Sequence, residues 1–149
     1  MRIEMISSDN YSIFINSNYT NIDDYADKNN IIRNVKEIII KIQSMINLYG
    51  FYKVKVYVCK KIGLFIDISK IDSSYSDNLD LRIIVFLDED VYVGVDDYFL
   101  VSDVKDVRNY NDKYYVKVND LDNIFNIIEF GNFIYGAEVN NMLNNSVFV

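Results

Sequence analysis

Residues 30–50, NIIRNVKEIIIKIQSMINLYG, decide how the rest of the chain is read. Ile31, Val35, Ile38, Ile42, Met45 and Tyr49 recur at steps of four and three, and Ile32, Ile39 and Ile46 form a second apolar row beside them. At 3.6 residues per turn these side chains share one wide arc of an α-helix, while Arg33, Lys36, Glu37, Gln43, Ser44 and Asn47 face away. Asn29 or Asn30 is the expected N-cap, and Gly50 the expected left-handed stop. Ile40 falls on the polar side and Leu48 at the border, which together predict a second surface covering this helix. An amphipathic helix must press its stripe onto another layer, and the strands on either side supply one.

Upstream, Arg2–Ile6 and Tyr11–Asn16 read as a hairpin around Ser7-Ser8-Asp9-Asn10. Downstream, Tyr52, Val54, Val56 and Val58 alternate with Lys53, Lys55, Tyr57 and Cys59, the period of a half-buried strand. Its mate is Leu64–Ile68, joined through Gly63. The first seventy residues therefore read ββαββ. Ser69 to Asp80 is the one candidate linker. Beyond it, Asp80–Leu87 predicts a strand covered on both faces, because Ile84 and Phe86 back the Leu81, Ile83, Val85 and Leu87 row. Val91–Val95, Tyr98–Val101, Val107–Tyr110 and Lys113–Val118 follow as short extended segments, the last two flanking an Asn111-Asp112 turn. Asp120 is expected to cap a helix over Leu121–Phe130. One or two helical turns at Ala137–Leu143 and a strand at Ser146–Val149 complete the chain. The fold class expected is α+β, with mostly antiparallel sheets, one long amphipathic helix and a shorter C-terminal helix. Two ββαββ-like halves fit one compact domain over 1–149, subdivided at 1–70 and 78–149.

The composition excludes several chemistries. With 149 residues the chain is about one domain long, and its hydrophobic and charged fractions are globular. There is no histidine, which removes His-based general acid–base catalysis, Ser-His-Asp and Cys-His sites and His-ligated zinc. A single cysteine removes internal disulfides and thiolate-rich metal centres, and fits a reducing compartment. No apolar run nears the ~18 residues that span a bilayer. Met1-Arg2-Ile3-Glu4 does not open a signal peptide. The expectation is a cytoplasmic protein with no cofactor, no metal and no membrane association.

The charge is uneven. Residues 1–61 hold nine Lys/Arg and six Asp/Glu, whereas residues 62–149 hold six and sixteen. A field of that sign repels nucleic-acid phosphates and draws in basic surfaces. Asp88, Glu89, Asp90, Asp96 and Asp97, with Tyr92, Tyr98, Tyr110 and Tyr114 nearby, are the candidate partner-binding residues, since tyrosine suits surfaces that are both apolar and wet. The same acids are the one set able to hold a hard cation. A calcium loop counted from Asp88 fails, with Val93 where glycine is required and Phe99 where glutamate is required. Lys53, Lys55, Lys60 and Lys61 with Tyr57 form a small basic-aromatic patch of the kind single-strand binding uses, but in an anionic chain four lysines read instead as a solvated strand face near an edge. Cys59 precedes two lysines that would lower its pKa, but strand alternation predicts a partly buried, inert thiol.

The opening Met1-Arg2-Ile3-Glu4-Met5-Ile6, followed by a strand, an aspartate loop and a long helix, resembles the start of MecA-type adaptors, bacterial proteins that deliver substrates to a Clp unfoldase. Glu129-Phe130-Gly131, with Ile134 after it, is similar to a Glu-Tyr-Gly pattern near that family's C-terminus. The chain departs from the family in lacking its glutamate-rich segment and its length, and no functional residue carries over.

The function expected is a non-catalytic intracellular binding module whose acidic, Tyr-rich C-terminal half contacts a basic protein, as an adaptor or as an inhibitor that mimics nucleic acid. It is not expected to bind nucleic acid directly. The alternatives are a carboxylate-dependent, metal-requiring enzyme and a self-associating structural module, a homo-oligomer.

Overall fold

The computed structural model describes residues 1–20, 26–72, 78–87, 89–122, 124, 127 and 131–149. The chain divides into two compact units, Met1–Asp88 and Glu89–Val149.

The first unit begins with the expected ββαββ order: β1 (Arg2–Ser7), β2 (Asn10–Asn16), α1 (Lys28–Ile46), β3 (Gly50–Cys59) and β4 (Gly63–Asp72). A fifth strand, β5 (Leu79–Phe86), then joins the same sheet. The spatial order is β1-β2-β4-β3-β5, antiparallel except for the parallel β3–β5 pair. Ile31, Val35, Ile39 and Ile42 of α1 are at most 2% exposed. They pack on Ile13 and Ile15 of β2, Val54, Val56 and Val58 of β3, Leu64, Ile66 and Ile68 of β4, and Val85 of β5. Each such side chain contributes roughly 1.5–3 kcal/mol when removed from water.

The helix termini differ from the expectation. Asp27, not Asn29 or Asn30, is the N-cap: its carboxylate accepts from the backbone N–H groups of Asn29 (3.0 Å) and Asn30 (3.3 Å). At the other end Asn47 takes the left-handed conformation, φ 52° and ψ 59°, so the helix stops before Gly50. Asparagine tolerates that region better than other side-chain-bearing residues. The stop redirects the border residues. Leu48 turns into the core at 0% exposed, with its carbonyl accepting from Gln43 Nε2 (3.0 Å), while Met45 and Tyr49 are left out at 69% and 51%. Ile40 is exposed as well, so Leu48 and Ile40 do not share a second covering surface. Asn34, three residues after Ile31, lies buried within the stripe, and its Oδ1 has no hydrogen-bond partner among the described residues.

The sheet face opposite α1 carries one row that crosses all five strands in register: Arg2, Phe14, Phe65, Tyr57 and Phe86. Phe14 and Phe65 have ring centroids 5.0 Å apart, Tyr57 stacks on Phe86 at 4.9 Å, and the Arg2 guanidinium lies 6.0 Å from the Phe14 ring. Aromatic pairs at such separations add about 0.5–1.5 kcal/mol beyond area burial. At the β3–β4 turn Gly63 has φ 139°, and an added Cβ would run into the Ile15 carbonyl oxygen, so the turn accepts only glycine.

The second unit contains β6 (Tyr92–Val95), a 3₁₀ turn (Tyr98–Val101), β7 (Arg108–Tyr110), β8 (Lys113–Lys117), a 3₁₀ turn (Val118–Asp120), β9 (Asn132–Ile134), α2 (Ala137–Asn145) and β10 (Val147–Phe148). Its antiparallel sheet has the order β10-β7-β8-β6-β9. Asn111 and Asp112 both adopt positive φ in the tight β7–β8 turn, as their sequence predicts. Tyr98–Val101 is a 3₁₀ turn where an extended segment was expected. The helix expected over Leu121–Phe130 falls largely on residues outside the described ones. Beneath α2, Val139 and Met142 pack on Tyr115 and Ile134, with Tyr92, Tyr110 and Leu143 at the margin.

Candidate functional site

The unit boundary sharpens the charge asymmetry. Met1–Asp88 holds eleven Lys/Arg and eleven Asp/Glu, whereas Glu89–Val149 holds four and eleven. The second unit therefore carries the whole formal net charge of −7. Three of its four cations are already engaged. Lys113 Nζ donates to Asp96 (3.2 Å), Lys117 pairs with Asp90 (3.1 Å), and Arg108 lies 4.1 Å over the Phe148 ring while donating to Ser146 Oγ (3.2 Å). The hydrogen bond to Asp90 and its attraction hold Lys117 above the usual lysine range.

The candidate acids have distinct local roles. Asp90 and Asp96 each have a lysine counter-ion from β8, although the Asp96 side chain remains 85% exposed. Asp97 is the cap of the Tyr98–Val101 turn, its Oδ1 accepting from the Phe99 N–H at 3.0 Å. Glu89 is half-buried, and Asp88 lies outside the described residues. Among the described residues no three acidic or thiol groups cluster closely enough to hold a metal ion.

The tyrosines separate into two groups. Tyr92 and Tyr110 belong to the face of the sheet under α2. Tyr114 follows the opposite alternation in β8 and meets Tyr98, ring centroids 5.3 Å apart. The structure thus joins Tyr98, Tyr114, Asp96 and Asp97 at one end of β6 and β8, and puts Tyr92 and Tyr110 elsewhere on the sheet. Phe99, which is not among the candidate partner-binding residues, is 84% exposed in the capped turn. The signal was available in the adjacency of Asp96-Asp97 to three consecutive large apolar residues.

In the first unit, Tyr57 is only 9% exposed and stacked on Phe86, so it is no open platform beside Lys53 and Lys55. Cys59 is 5% exposed; burial pushes its thiol pKa up, and the backbone hydrogen bonds and the Lys61 charge that pull it down do not compensate. Among the described residues no helix is long and apolar enough to cross a membrane.

Compared with known protein families, curated proteins and solved structures, the chain shows no significant match to any. The likeness of its opening residues to MecA-type adaptors stands on those short pieces alone.

Proposed function

We propose that this chain is a non-catalytic binding module whose acidic second unit contacts a basic protein, acting as an adaptor or an inhibitor. The observation that carries this reading is the division of charge: a neutral first unit and a second unit bearing all of the −7. Complementary fields of this kind raise encounter rates and select the sign of the partner. The non-catalytic reading is supported by the absence of histidine and by the ordinary structural duties of Asp90, Asp96 and Asp97, two as ion-pair partners and one as a cap.

The test is affinity capture with the full chain from its native cell, at low and at high salt, beside a variant carrying Glu89→Gln, Asp97→Asn, Asp103→Asn and Asp106→Asn. Asparagine at 97 preserves the cap. A basic protein retained by the parent at low salt should be lost both in the variant and above a few hundred millimolar salt, where the Debye length falls to roughly 5 Å. Equal recovery by parent and variant refutes the proposal.

A further inference from the structure

We infer that the 3₁₀ turn Tyr98–Val101 is the docking anchor of the second unit, with Phe99 entering an apolar recess on a basic amphipathic segment of the partner protein. The inference rests on the basic-partner reading above and names the element that makes the contact. Phe99, at 84% exposed, is the most exposed large apolar side chain among the described residues, and Tyr98 and Leu100 flank it at 37% and 39%. Single exposed apolar residues are ordinary on protein surfaces, so exposure alone decides nothing.

What sets this turn apart is how firmly it is held. Asp97 Oδ1 accepts from the Phe99 N–H at 3.0 Å, and the Asp97 carbonyl accepts from the Leu100 N–H at 3.2 Å. Ser102 Oγ donates to the Phe99 carbonyl at 3.2 Å. Val101 is fully buried, its carbonyl accepts from the Val104 N–H at 3.0 Å, and the Tyr98 ring rests against Tyr114. An aromatic side chain presented on a fixed backbone loses little conformational entropy on binding, which is the property of interface anchors.

Charge selects the partner. Asp96, Asp97, Asp103 and Asp106 are all exposed, and Lys105 is the one cation in residues 96–106. Lys113 pairs with Asp96 from β8 but leaves that carboxylate 85% exposed. An apolar side chain carried in so acidic and exposed a stretch disfavours nucleic acid and acidic lipid surfaces. It fits a protein surface on which leucine-type side chains are bordered by lysine or arginine.

The test uses the full chain and two fluorescent synthetic peptides of equal charge. One is a Leu/Lys amphipathic helix; in the other, serine replaces every leucine. The parent should bind the Leu/Lys peptide at least about tenfold more tightly than the Ser/Lys peptide. Phe99→Ser should abolish that preference while leaving Ser/Lys binding unchanged, and circular dichroism should show the variant folded. Equal affinity of the parent for both peptides, or a preference that survives Phe99→Ser, overturns the anchor but not the basic-partner reading. Binding of neither peptide overturns both. Phe99-dependent binding to phosphatidylserine vesicles overturns the choice of a basic partner.

Discussion

The ring of Tyr115 occupies the space that a Cβ on Gly94 would need: its Cε1 and Cζ would stand 2.5 and 2.7 Å from that atom. The two residues are register partners on β6 and β8. Tyr115 has little room to give way, because it is 5% exposed and packed with Ile134, Val139 and Met142. Gly94→Ala should therefore destabilise the chain by about 1–3 kcal/mol in urea unfolding, the usual cost of overpacking. In a Tyr115→Leu background the same substitution should cost less. An unchanged penalty there would mean that the collision is not with the ring.

Asn34 gives a prediction of the opposite sign. Its buried Oδ1 lacks a partner among the described residues, and an unsatisfied buried acceptor costs about 1–3 kcal/mol. Asn34→Leu, similar in shape and continuous with Ile31 and Val35, should raise the denaturation midpoint. A lowered midpoint would show that the amide is satisfied in solution.

The cap of α1 is testable by contrast. Asp27→Ala should remove about 1 kcal/mol of stability, since two backbone N–H groups lose their acceptor. Asn30→Ala should be close to neutral, because residue 30 is already inside the helix. If the Asn30 change were the costlier one, the helix would begin where the sequence alone had suggested.

The Cys59 thiol should be slow to alkylate in the native chain at pH 8 and fast in urea, by at least about tenfold. Its folded pKa lies above the unfolded one because burial disfavours the thiolate. The associated stability is therefore fully present below the unfolded pKa and is lost as pH rises through the folded value. Comparable iodoacetamide rates in native and denatured protein would contradict this.

Much of the first unit was legible because periodicity and burial agree there. The 3.6-residue stripe of α1 and the two-residue alternation of β3 mark the same core from both sides. The termini were harder to place, since Asp27, Asn29 and Asn30 are all competent caps, and both Asn47 and Gly50 can adopt a left-handed turn. Only tertiary packing, which draws Leu48 inward, selects Asn47. The parallel β3–β5 pairing leaves no local signal, because nothing in either strand names its neighbour.

At the candidate site the sign of the charge was legible but its neutralisation was not. Lys113 reaches Asp96 from seventeen residues away, and Lys117 reaches Asp90 through the β6–β8 register. The tyrosines were grouped by proximity in sequence, whereas pleating sends Tyr110 and Tyr114 to opposite faces. Phe99 was not among the candidate residues because an exposed aromatic gives no periodic signal.

Strand β4 is paired on both sides, by β2 and by β3, which enter from the two ends of α1. Vectorial synthesis consequently delivers this middle strand after both of its neighbours. Until residue 72 has left a ribosome, the nascent chain holds the β1–β2 hairpin and β3 on either side of a one-strand gap, with one unsatisfied amide edge of β2 and one of β3 facing it. Closing the first unit is an insertion event, and those two edges are what a chaperone or an adjacent nascent chain would meet first.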